Sequence, residues 1–79
     1  MKCWILKKIE KKNGTNHQKN EWLLKKFEPF FKITEDNRML IEVENDFAYL
    51  ITSRVKKMEF IENEMIVETK NSIYTFEKI

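Results

Sequence analysis

Between residues 39 and 76 the polarity of this chain alternates with a period of two, and that pattern leaves little besides β-structure open to it. Met39, Ile41 and Val43 alternate with Leu40, Glu42 and Glu44. Met65, Val67 and Thr69 carry a second such face, and Tyr74 and Phe76 alternate with Ile73 and Thr75. Successive side chains of a strand point to opposite faces, so each run predicts one buried face. Phe47, Tyr49 and Ile51 alternate with Ala48 and Leu50, apolar on both sides. Residues 54–61 predict a further strand with Met58 and Phe60 on one face; Val55 falls out of phase and predicts a bulge. Residues 34–38, Asn45-Asp46, Glu62-Asn63 and Lys70-Asn71 supply turn chemistry, the last as a two-residue hairpin loop. Short strands joined by such turns pair antiparallel.

The N-terminal part is less patterned. Residues 3–9 predict a strand with Cys3, Ile5 and Ile9 on one side and Trp4 and Leu6 on the other. Asn13-Gly14 is a hairpin signal between polar flanks. Residues 20–28 carry two readings. In the preferred one Asn20 caps a short helix, Leu23 and Phe27 share a face of it, and Pro29 ends it; in the other the segment is a strand. Nothing divides the chain, so residues 1–79 form a single domain. About six strands of roughly five to seven residues are enough for a small closed structure. The fold expected is mainly β: an antiparallel β-meander closing into a bent sheet or barrel, with the short helix at 20–28 as its one helical element.

Several chemistries lack their parts. Cys3 is the only cysteine and His17 the only histidine, so neither an intrachain disulfide nor a four-ligand zinc site is expected. One glycine excludes a glycine-rich phosphate loop. Glu42 and Glu44, like Glu62 and Glu64, are spaced to share a strand face, which suits a hard cation or acid–base pair but more simply gives a solvated surface. No catalytic residue, metal or cofactor is expected. No apolar run approaches the roughly 18 residues that span a bilayer, and the opening residues do not make a signal peptide, so the expected setting is a reducing cytoplasm.

Charge is the remaining clue. Residues 1–34 hold nine lysines against three glutamates, and residues 35–79 hold six basic against ten acidic side chains. The two parts therefore carry about +6 and −4, within a total of +2. Lys7, Lys8, Lys11, Lys12, Lys19, Lys25 and Lys26, together with Trp22, are the ingredients of a single-stranded nucleic-acid groove, in which lysines neutralise phosphates and rings stack on bases. No arginine stands among them, so the bidentate readout group is missing. Glu35, Asp36, Glu42, Glu44, Asp46, Glu62, Glu64 and Glu68 fall on turns and outward strand positions and suit a basic partner protein. Head-to-tail pairing of basic and acidic ends would give a homo-oligomer.

Thr52-Ser53-Arg54-Val55, followed by Thr69-Lys70-Asn71-Ser72-Ile73-Tyr74, resembles a pattern of small phage and prophage proteins, in which a Thr-Ser-x-Val strand start and a Thr-x-Asn-Ser-x-Tyr hairpin close a compact β-domain. The resemblance covers residues 47–77. It implies no catalytic residues; it implies action by contact with a host protein or complex, including inhibition of bacterial defence systems such as CRISPR nucleases. The leading expectation is thus a small non-enzymatic protein acting by protein–protein contact, in the host cytoplasm if phage-encoded. The alternative is a single-stranded nucleic-acid-binding module.

Overall fold

The structure is a computed structural model and describes residues 3–12, 23–44 and 48–79. Those residues form six strands, β1 (Trp4–Lys11), β2 (Lys26–Ile33), β3 (Arg38–Val43), β4 (Tyr49–Ile61), β5 (Glu64–Thr69) and β6 (Ser72–Lys78). Each pairs antiparallel with the next, and β1 pairs with β6, closing a meander barrel. Closure removes most of the exposed edge that an open six-stranded sheet would carry.

The barrel interior is the core. Leu6, Phe27, Met39, Ile41, Leu50, Met65, Val67 and Phe76 have no solvent exposure, and Trp4, Val43 and Tyr74 are nearly as deep. Phe76 packs edge-on to Phe27, with ring centroids 5.7 Å apart, and lies nearly parallel to Tyr74 at 6.5 Å. The period-two faces of β3, β5 and β6 point inward as the alternation predicts, down to the buried hydroxyls of Thr69 and Ser72. In β4 the inward residues are Leu50 and Thr52, which sends Tyr49 and Ile51 outward.

Irregularities turn the corners. A register shift in β4 between Val55 and Lys57 marks the expected bulge, and β4 passes there from pairing with β3 to pairing with β5. A second shift lies in β1 between Leu6 and Lys8. It lets Ile9 pack against the core although Leu6 and Trp4 already face inward, so the predicted division of β1 into two faces holds only before the bulge.

The helix expected over 20–28 is not seen among the described residues. Leu23 and Leu24 are in a turn and Lys26 begins β2; residues 20–22 lie outside the described part. Leu23 and Phe27 do both reach the core, but across a turn and a strand start. Phe27 aligns with Trp4 of β1 and Val43 of β3, and this cross-strand packing outweighs a weak local helix signal. Pro29 fits because β2 is irregular there: its register against β3 shifts between Phe27 and Phe31, and its pairing with β1 ends at Phe27. The expected Asn45-Asp46 turn also lies outside the described residues.

Candidate protein-contact surface

The outside of the barrel has two unlike halves. On β1, β6, β5 and the end of β4 that pairs with β5, outward charged side chains form a ladder of ion pairs. Lys7 Nζ lies 3.2 Å from Glu77 Oε2 and 3.5 Å from Glu64 Oε2. Glu64 and Glu77 are direct cross-strand neighbours, an arrangement of like charges that is unfavourable unless bridged, and Lys7 bridges it. Lys12 Nζ reaches Glu68 Oε2 at 2.7 Å, and Lys57 reaches Glu59 at 2.7 Å. The Glu77 hydrogen bond and then its charge raise the Lys7 pKa, while the Lys12 hydrogen bond and then its charge lower that of Glu68. The basic N-terminal strand and the acidic C-terminal hairpin thus lie side by side, and part of the charge split is neutralised within the molecule.

On β2, β3 and the start of β4, apolar side chains stand outward among charged ones. Phe30 is 78% exposed and Tyr49 50%, and Ile51 stands beside them across Leu40. Leu40 is aligned with Lys32 on one side and Ile51 on the other, and Glu42 with Tyr49. Glu28, Phe30, Phe31, Lys32, Leu40 and Glu42 line a groove of about 280 Å³. That is somewhat below the usual range of small-molecule sites, roughly 300–1,000 Å³, and suits the insertion of a partner side chain. Exposed rings grouped with aliphatic side chains and rimmed by charge are the composition of a contact surface.

The local cause lies in strand parity. Glu28 and Lys32 share a parity with Phe30, and solvating them turns the ring outward, while Phe27 and Phe31 go in. Arg38 and Glu42 do the same for Leu40. The backbone next to Phe30 is also accessible: among the described residues no strand pairs with residues 28–33 on the side away from β3.

The acidic residues singled out from sequence do not converge. Glu35 and Asp36 lie in the β2–β3 turn, where Thr34 and then Arg38 hold the Asp36 carboxyl below its usual range. Glu42 is on the apolar face, and Glu44 is half-buried just after β3, beside the buried Cys3, whose pKa is raised by burial first and Glu44 second. Glu62 occupies the β4–β5 turn at φ 53°, while Glu64 and Glu68 belong to the ion-pair ladder. Of the basic set, Lys7, Lys8 and Lys12 are ion-paired, the second to Glu10 at 3.4 Å. Lys11 closes β1, and Lys25 and Lys26 stand at the start of β2. Asp46, Lys19 and Trp22 lie outside the described residues. Leu40, Tyr49 and Ile51 were not legible as site residues, and Phe30 only in part, because aromatic and aliphatic groups in so small a domain are first assigned to its core.

Among the described residues no group of three His, Cys, Asp or Glu side chains is placed to hold a metal ion, and no helix is long and apolar enough to cross a membrane. No protein-family model, curated protein or solved structure matches the chain.

Proposed function

We propose that this is a non-enzymatic binding protein that contacts a partner protein through the outer face of β2, β3 and β4. The observation carrying this reading is Phe30, at 78% the most exposed aromatic ring among the described residues, standing in solvent beside Leu40, Tyr49 and Ile51. Desolvating such a group is the main source of affinity in protein interfaces, where a few aromatic anchors dominate.

The occupant is an extended segment of the partner, carrying apolar side chains for the groove and a basic one for Glu28 and Glu42. The backbone of residues 28–33, accessible on its outer side, suits addition of a strand, and Pro29 limits unspecific pairing along that edge. Together with the resemblance of Thr52-Ser53-Arg54-Val55 and Thr69-Lys70-Asn71-Ser72-Ile73-Tyr74 to phage proteins, this extends to a phage-encoded inhibitor acting in the host cytoplasm on a defence complex. An outer surface laced with ion pairs around an apolar interior is the reverse of a transmembrane barrel, which supports a partner in water rather than lipid. The nucleic-acid reading of the N-terminal lysines is weaker, because Lys7, Lys8 and Lys12 already hold carboxylates.

A photo-crosslinking residue placed at Phe30, in cells of the native host, tests the reading. A discrete adduct with one other protein, whose purified form then binds the wild type and loses affinity for Phe30→Asp, is the expected result. Adducts only between copies of this chain would overturn it.

A further inference from the structure

The chain has two arginines, and the fold puts them side by side. Arg38 of β3 and Arg54 of β4 are direct cross-strand partners. Like charges in that position repel, as they do for Glu64 and Glu77, but there Lys7 bridges the pair. Here, among the described residues, no carboxylate bridges the two: Asp36 holds Arg38 alone, and the next neighbour is another cation. Lys70, at the tip of the β5–β6 hairpin, donates its backbone N–H to the Arg54 carbonyl at 2.8 Å, which fixes a third cationic residue against the first two. Arg38 Nε meets Asp36 at 2.9 Å; among the described residues no carboxylate lies within ion-pair distance of Arg54 or Lys70. Arg38, Ser53, Arg54, Lys70 and Asn71 line a single cleft of about 470 Å³.

The cleft is held by a hydrogen-bond network drawn from the two segments that carry the phage-protein resemblance. Ser53 Oγ donates to Thr69 Oγ1 at 2.7 Å and accepts from the Asn71 N–H at 3.3 Å. Thr69 Oγ1 donates to the Ser72 carbonyl at 3.0 Å and accepts from the Ser72 N–H at 3.1 Å. Thr52 Oγ1 accepts from the Met39 N–H at 3.0 Å, tying β4 to β3 below the arginines. Next to Arg38 and Arg54, Asn37 accepts from the Val55 N–H at 2.8 Å through its carbonyl and donates its side-chain amide to the Val55 carbonyl at 2.7 Å. Thr69, Ser72 and Thr52 are buried, so these are architectural bonds, and they leave the charged ends of Arg38, Arg54 and Lys70 at the rim.

We propose that this cleft is an oxyanion site for a phosphate group, with Arg38 and Arg54 as planar donors and Lys70 as a point charge. Guanidinium forks match the tetrahedral oxygens of phosphate, and a preorganised frame loses little entropy when an anion is clamped. The site lies apart from the Phe30 groove and shares no lining residue with it. It also places phosphate recognition away from the N-terminal lysines, where arginine was missing.

With two arginines in the chain, two Nε–Hε cross-peaks report the site directly in a ¹⁵N-labelled sample. Titrated with inorganic pyrophosphate against chloride at constant ionic strength, both are expected to shift and saturate. Arg54→Gln, at an exposed position, is expected to weaken the constant about tenfold or more while leaving the amide spectrum folded, and Lys7→Gln to leave it unchanged. An oligothymidylate that binds more tightly with the same dependence on Arg54 assigns the phosphate to a nucleic-acid backbone; one that does not compete assigns it to a small phosphate compound. Absence of saturation with either probe overturns the proposal, as does a glutamate-rich peptide that binds more tightly than both. Phe30→Asp leaves this titration unchanged, so the contact face and the phosphate site fail separately.

Discussion

The two halves of the barrel surface are built from the same strand geometry and put to opposite use. On β1, β6, β5 and the β5-paired end of β4 the lysines of the ladder stand against glutamates, and the apolar residues turned outward on β1, β5 and β6, Ile5, Ile66 and Ile73, are half-buried. On β2, β3 and β4 the same alternation leaves Phe30, Leu40, Tyr49 and Ile51 outside. A barrel interior this small accepts only part of the apolar side chains that its strands carry; of the surplus, Phe30, Tyr49 and Ile51 lie on this side, and Phe60 and Ile61 are exposed at the far end of β4. Charge pairing at a surface contributes little to stability and discourages association, whereas exposed rings contribute nothing until a partner covers them. The difference separates a half that maintains the fold from a half suited to contact.

The largest expected effect comes from breaking the contact half. Phe30→Asp should lower affinity for the crosslinked partner by about 2–4 kcal/mol, a hundredfold order of effect, with urea stability changed by less than about 0.5 kcal/mol. Next is Thr69→Val, which keeps the shape of a buried residue but removes the acceptor of Ser53 Oγ and of the Ser72 N–H. It should cost about 1–3 kcal/mol in urea unfolding and leave the Phe30 surface in place. A smaller gain, up to about 1 kcal/mol, is expected for Glu62→Gly, since Glu62 sits at φ 53° in the β4–β5 turn where a Cβ is unfavourable; a matched pair of urea curves decides it.

The smallest effect belongs to the ion-pair ladder, and its signature is pH. Glu68 titrates below its ordinary 4.5 in the folded protein, so its contribution is present above that value and is lost as pH falls through the lowered folded pKa. Lys7 titrates above its ordinary 10.5, so its contribution is present below that value and is lost as pH rises through the raised folded pKa. Unfolding midpoints should therefore form a plateau between those limits. Lys7→Gln should flatten the alkaline limb and Lys12→Gln the acid one, and added salt should shrink both differences.

Much of the barrel was legible in the residues. The inward faces of β3, β5 and β6, the Val55 bulge and the Lys70-Asn71 loop all follow from period-two patterning and turn chemistry. Residues 23–28 were not, because a capping asparagine and an i, i+4 apolar pair describe a local preference, while Phe27 is placed by contacts from strands distant in sequence. Phe30 was half legible: the parity of Glu28 and Lys32 already turns it outward, yet a run of aromatic and aliphatic residues invites a core assignment. Tyr49 and Ile51 carried no such signal, since β4 is apolar on both faces there and only its pairing with Leu40 and Glu42 selects one. The arginine cleft was hidden for another reason. Arg38 and Arg54 are separated in sequence by the β3–β4 connection, and their alignment is a property of register.

The most direct test compares the two halves in one crosslinking experiment, with the photoreactive residue placed in turn at Tyr49 and at Glu59, in cells of the native host. Tyr49 lies on the apolar face, where β4 pairs with β3, and Glu59 on the ion-paired one, where β4 pairs with β5, bound to Lys57. The account predicts a single discrete adduct with another protein from position 49 and none from position 59. An adduct from position 59 alone, or only self-adducts from position 49, would contradict it.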